Sequence, residues 1–278
     1  MINVILTGPE RSGSTLICYL LNKLPNVVAL HEPMKIRKFY KLGDRDTICR
    51  EIMRFFAKTR KTLLASGYAI SQHVEGLIPD NTFAEEPAES GLRGCKDEKG
   101  YITINKELSE DFLLCIKHLG PFTALLEDLI PHLPCYALVR NPLSILASWN
   151  SVDLPMREGR HPTIEKLDAD LARALADIAD RFDRQIYLLA WHFEKYARLL
   201  PESAVLRYED VIASQGQCLR ALTPHAEALN EPLANKNKNE LYDHGLMATL
   251  GERLLKSDAA FWKFYKKEEV ETLLLLGA

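Results

Sequence analysis

The first fifteen residues constrain this chain more than any other stretch. An apolar run, Ile2-Asn3-Val4-Ile5-Leu6, stops at Thr7-Gly8-Pro9-Glu10-Arg11-Ser12-Gly13, and a helical pattern takes over through Ser14, Thr15 and Leu16 to Leu24. A strand, a glycine-containing loop and a helix in that order gather unpaired backbone N–H groups and a positive helix end at one point, which suits an anion. Gly8 and Gly13 allow conformations that a side chain would obstruct, and Ser14 and Thr15 add hydroxyl donors in the first turn. A capped strand-to-helix turn without a ligand has the same local pattern, so the rest of the chain must decide.

Further short apolar runs are expected as strands at Val27 to Leu30, Leu92 to Cys95, Cys135 to Val139 and Ala204 to Arg207. Segments of helical periodicity separate them. The longest runs from about Leu167 to Leu200, with Leu171, Leu175, Ile178, Phe182, Leu189 and Phe193 near i, i+3/i+4 spacing. Strands alternating with helices predict an α/β fold, a parallel sheet flanked by helices on both faces in a P-loop nucleotide-binding architecture. No composition shift marks a boundary, so residues 1–278 read as one domain. Residues 67–91 and 151–162 break the pattern and read as surface excursions that wall a substrate pocket, act as lids or are ordinary insertions.

The formal net charge of -3 leaves no bulk basic field for nucleic acid, so any polyanion must be met locally. Six scattered cysteines show no metal-ligand spacing and read as buried free thiols of a reducing compartment. With no secretory signal and no apolar run long enough for a membrane span, a soluble cytoplasmic protein is expected.

The loop meets the GxxxxGK[ST] pattern at Gly8, Gly13 and Thr15, but Ser14 stands where that pattern has its lysine. The positive charge is Arg11 instead, and Cys135 to Val139 ends in Arg140 rather than in a magnesium-binding aspartate. Arg140-Asn141-Pro142 then opens a helix, with Asn141 suited to the N-cap and Pro142 to the first turn. These segments together resemble the PAPS-dependent sulfotransferases, which use 3′-phosphoadenosine-5′-phosphosulfate (PAPS), in their bacterial and Golgi-like form. Arg11-Ser12-Gly13-Ser14-Thr15 is similar to that family's 5′-phosphosulfate loop. Arg140 and Ser148, eight residues apart, are similar to its 3′-phosphate pair, and Arg207-Tyr208-Glu209-Asp210 to a segment whose tyrosine lies near the adenine. The likeness runs from residue 2 to about 212. Phe261-Trp262 ahead of a helix from Glu268 to Leu276 is a weaker echo. The family's basic C-terminal clamp is not found, with Arg253, Lys256 and Lys263 the nearest candidates.

The resemblance implies direct in-line sulfuryl transfer with PAPS as donor, 3′-phosphoadenosine-5′-phosphate (PAP) as product and no metal required. Leu30-His31-Glu32-Pro33 places Glu32 as the general base, with His31 turned to the opposite side. Lys96-Asp97-Glu98 stands where cytosolic members carry Lys-Thr-His, so Lys96 would stabilise the transferring group beside Arg11, and Glu98 is the second candidate base. The expected acceptor is a small molecule, a natural product or a carbohydrate. The carboxylates Glu75, Asp80, Glu85, Glu86, Glu89, Asp97 and Glu98 would favour a cationic or polyhydroxy one if their loop walls the pocket. Sulfation of a hydroxyl and of an amine or guanidine nitrogen both stay open, as does a homodimer. Two other readings remain: a P-loop small-molecule kinase, and a non-catalytic PAP-binding protein.

Overall fold

Residues 2–275 are described by the computed structural model. Seven strands form among them: β1 (Ile2–Thr7), β2 (Val27–His31), β3 (Tyr68–His73), β4 (Glu98–Thr103), β5 (Leu113–Lys117), β6 (Cys135–Val139) and β7 (Val205–Arg207). Five of them build a parallel sheet in the order β2-β5-β1-β6-β7, and β3 pairs with β4 in a separate antiparallel ribbon. All five residues of β2 and of β5 are buried, as are the last four of β1. Such unbroken apolar runs, rather than alternating ones, are what a parallel sheet covered on both faces requires.

The covering helices are α1 (Ser14–Leu21), α2 (Arg45–Ser66), α3 (Leu119–Ala124), α4 (Leu126–Leu129), α5 (Pro142–Asn150), α6 (Pro162–Leu167), α7 (Ala169–Asp177), α8 (Arg181–Leu199), α9 (Tyr208–Ala213), α10 (His244–Lys256) and α11 (Lys267–Leu275). Helix α1 packs against β2 and β5, and α3 against β1. The caps follow side-chain chemistry. Asn141 accepts from the N–H groups of Leu143 and Ser144 to start α5, as its sequence suggests, and Asp44 accepts from Thr47 to start α2. No helix among the described residues is long and apolar enough to cross a membrane.

The expected α/β sheet forms, with four corrections. The stretch Leu92 to Cys95 is not a strand of the sheet, where it contributes nothing; it makes only isolated bridges, Arg93 with Val152 and Cys95 with Phe83. The strand that fills the place between β1 and β2 is β5, from the apolar run Leu113-Leu114-Cys115-Ile116. The expected long helix over 167–200 is two helices, because Asp180 turns its carboxylate onto the N–H groups of Phe182 and Asp183 and starts a new one. Local capping outweighs a continuous apolar periodicity there. Residues 68–73 within the expected excursion are a strand, and residues 155–158 within the second excursion are a 3₁₀ turn. The thiols are free, but Cys95 is exposed rather than buried. Helix α11 covers most of the expected Glu268 to Leu276 segment, whose last residue lies outside the described residues.

Placing β5 in the sheet has a measurable consequence. Ile116 is fully buried, so Ile116→Ala should cost roughly 2–5 kcal/mol of unfolding free energy in urea titration. A loss below about 0.5 kcal/mol, the range of exposed positions, would place residues 113–117 outside the core.

Candidate active site

Because all five strands run the same way, their C-terminal ends share one edge, the position where open α/β sheets bind ligands. A cleft of about 1090 Å³ opens there. Its floor is the loop after β1. Gly13 holds φ 95° ahead of α1, which starts with no side-chain cap. A Cβ at Gly13 would come within 2.7 Å of the Tyr208 ring, so both backbone angle and space demand glycine. Gly13, Ser14 and Thr15 line the cleft. Ser12 does not; it is fully buried, and its Oγ has no partner among the described residues.

Two non-glycine residues that line this cleft have left-handed backbone angles, Arg11 at φ 71° and Glu32 at φ 46°. Such conformations are disfavoured by side-chain sterics and persist where the surroundings impose them. Arg11 lays its guanidinium over the Phe83 ring at 4.1 Å and donates from Nε to Ser148 Oγ at 2.9 Å. Burial takes its pKa down to about 10, helped by Arg93 and Arg140.

Arg140, at the end of β6, is held from several sides. Its Nε donates to Asn237 Oδ1 (2.8 Å), Nη1 to the Arg11 carbonyl (3.1 Å), and Nη2 to the Lys236 carbonyl and the Tyr242 hydroxyl. Its guanidinium lies 4.8 Å from the Tyr208 ring. Glu209 secures the frame: its carboxylate accepts from the Asn141 N–H (2.9 Å), Asn237 Nδ2 (2.7 Å) and the Tyr265 hydroxyl (2.8 Å). Ser148 is fully buried behind Arg11 rather than open to the cleft. Burial would raise the Tyr242 pKa, but Arg140, Ser148 and Arg11 together lower it below the ordinary phenol value.

At the other end of the edge, β2 and β5 bring a carboxylate and an ammonium together. Their register pairs His31 with Lys117, and Lys117 Nζ reaches Glu32 Oε1 at 3.0 Å. Lys117 is 2% exposed. Burial by itself would raise the Glu32 pKa, yet the Lys117 ammonium holds it well below the usual carboxylate range. His31 Nε2 stands 3.6 Å from Glu32 and its Nδ1 3.9 Å from Asp97. His118 is kept neutral, its pKa pushed by burial down to about 3, and its Nε2 accepts from the Met34 N–H.

Lys96 lines the cleft, but its place in the fold follows no sheet strand, and only its backbone N–H is bonded, to the Thr82 carbonyl. Glu98 points away: its side chain is 76% exposed beside His73, off the cleft wall. Arg253 is tied to Asp180 and Asp183, and Lys256 to Glu252, far from any anion loop in their bonding. Lys117, Arg93 and Tyr242 are the residues that sequence reading missed. For Lys117 a signal exists, an apolar pentad flanked by Asp111 and Lys117; for the other two, contact arises only on folding.

A buried acid–base pair closes the cleft's wall. Glu10 Oε1 bonds His161 Nε2 at 2.8 Å, joining the phosphate-type loop to the 151–162 excursion. Burial opposes the charge on both, but each outweighs it in the other: Glu10 is lowered and His161 raised. The stabilisation from His161 is present below its unfolded pKa and is lost as pH rises through its raised folded value. The Glu10 share is lost only in acid. The stability gap between wild type and Glu10→Gln in urea should therefore be larger at about pH 6 than at about pH 9. A gap independent of pH would show that the pair is not ionised.

No family model matches the chain, and no curated protein matches it. Among solved structures, a sulfotransferase from Alicyclobacillus acidocaldarius matches over 95% of this chain and 99% of its own, with 12% identity and a TM-score of 0.38. A likeness that remote assigns no activity, which leaves the residues of the cleft to speak for its chemistry.

Proposed function

We propose that the protein is a sulfotransferase that moves a sulfuryl group from PAPS to a hydroxyl, or to an amine or guanidine nitrogen, of a small-molecule acceptor. One observation carries the reading. A glycine loop after β1, an arginine cluster after β6 and a carboxylate–ammonium pair after β2 and β5 all border the same cleft. A donor bearing a 5′-phosphosulfate and a separate 3′-phosphate calls for two anion sites at strand ends. Arg93, a cleft-lining guanidinium whose Nε has no partner among the described residues, fits such a ligand.

PAPS supplies an activated sulfuryl group: its S–O bond to the phosphate breaks as a bond from the acceptor forms, and the acceptor's proton leaves. The N–H groups of Gly13 to Thr15 and Arg11 would hold the 5′ end and Arg140 the 3′ end, with Ser148 holding Arg11 from behind and Tyr208 beside the base. Glu32 is ionised at neutral pH and so is in the form that accepts a proton. Its pairing with Lys117 makes it a weak base at rest. Lys117 would lean to the oxygen of the departing phosphate as charge grows there, which loosens its hold and strengthens Glu32 when the proton moves. Lys96 then serves the acceptor side. Asp80, Glu85 and Asp97 line the cleft, whereas Glu75, Glu86, Glu89 and Glu98 do not. With Glu10 and Glu32, the three support a cationic or polyhydroxy acceptor.

Calorimetric titration should give micromolar PAP binding that Arg140→Ala weakens at least about tenfold. Tight Mg-ATP binding without a response to PAP would overturn the reading in favour of a kinase. PAP binding with no transfer across a broad acceptor screen would leave a nucleotide-binding protein. Once an acceptor is found, Glu32→Gln should lower kcat by roughly 100-fold or more while PAP affinity holds. In Lys117→Met the Glu32 pKa loses its main depressing influence, so the acid limb of the pH–rate profile should move to higher pH. An unmoved limb would exclude Glu32 as the titrating base.

A further inference from the structure

We propose that Arg93 is a third arginine of the nucleotide site, placed to bind the donor's 3′-phosphate together with Arg140; this rests on the PAPS reading above. Arg93 sits on the excursion between β3 and β4, far in sequence from both anion-loop segments, and its backbone is pinned to the end of α5. Its N–H donates to the Ser151 carbonyl (3.2 Å) and its own carbonyl accepts from Asp153 (3.3 Å). The side chain turns into the cleft, where Nη2 donates to Ser151 Oγ at 2.9 Å.

Three features mark it as a cation in need of an anion. It is 5% exposed, and its Nε is buried with no acceptor among the described residues. Its charged surroundings are Tyr242 and Arg140, with no carboxylate among them, and Arg11 stands in the same cluster. A guanidinium removed from water without a counter-ion is costly, and neighbouring cations add to the cost. A phosphate would relieve both.

The 3′ side is favoured over the 5′ side by the company Arg93 keeps. Tyr242 and Arg140 belong to the half of the cluster built on the start of α5 and the 236–242 segment. Arg140 has already committed its three nitrogens to Asn237, the Arg11 and Lys236 carbonyls and Tyr242. A doubly charged phosphate needs more donors than Arg140 leaves open, and Arg93 has an N–H to give. Arg93 also lies three residues before Lys96, so filling this site would fix the acceptor-side wall as the donor binds.

The test compares PAP with 5′-AMP, which lacks only the 3′-phosphate, by equilibrium binding to wild type, Arg93→Ala and Arg93→Lys. Arg93→Ala should weaken PAP about tenfold or more and change AMP less than about twofold, with Arg93→Lys between. Retained AMP binding also serves as the check that the variant is folded. Equal weakening of both ligands by Arg93→Ala and Arg93→Lys, or no weakening of PAP, would remove Arg93 from the 3′-phosphate site and leave the donor reading standing. Wild-type protein indifferent to PAP would sink the donor reading and this role with it.

Discussion

The parallel pairing of five strands is the constraint on which the cleft depends. In an antiparallel sheet, successive strand ends alternate between two edges; here the ends of β2, β5, β1, β6 and β7 all emerge together. Residues nearly 200 positions apart, such as Gly13 and Tyr208, thereby become neighbours. Glu32, Lys117, Arg11, Arg140 and Tyr208 each stand at or just beyond a strand end. The burial of β2 and β5 on both faces makes that edge rigid, and the helices that cover them supply the burial.

Charge is distributed unequally along the edge. On the β2–β5 side the buried ammonium has its anion: Lys117 meets Glu32, and His31 lies between Glu32 and Asp97. On the β6 side Arg11, Arg93 and Arg140 gather around Tyr242 and Ser148 without a carboxylate in their bonding. Glu209 is close, but it spends its oxygens on Asn141, Asn237 and Tyr265, and so orients Arg140 through Asn237 instead of neutralising it. A compensated half suited to proton movement and an uncompensated half suited to a polyanion follow from the same sheet.

The excursions link the halves. Residues 74–97 bring Phe83 under Arg11 and Arg93 next to Arg140, while residues 151–162 bring His161 to Glu10. None of these contacts has a local sequence signature, since each joins segments more than 45 residues apart through a loop whose path is set by packing. Trp149 closes the arrangement from α5, its Nε1 donating to the Glu10 carbonyl at 2.8 Å.

Sequence alone determined the elements whose causes are local. The apolar run of β1, the turn glycine at Gly13, the Asn141 cap with Pro142 behind it and the strand ending at Arg207 were all legible, because each rests on neighbouring residues. Glu32 and Arg140 were legible as strand-end residues for the same reason. Tertiary structure decided which strand lies beside β1. The stretch 92–95 reads as a short apolar segment, but sheet packing selects residues 113–117, which are buried on both faces. That choice brought Lys117 to Glu32. It also turned Glu98 outward and brought Arg93 and Tyr242 into the cluster, because side chains from distant loops meet only after the sheet has ordered its strands.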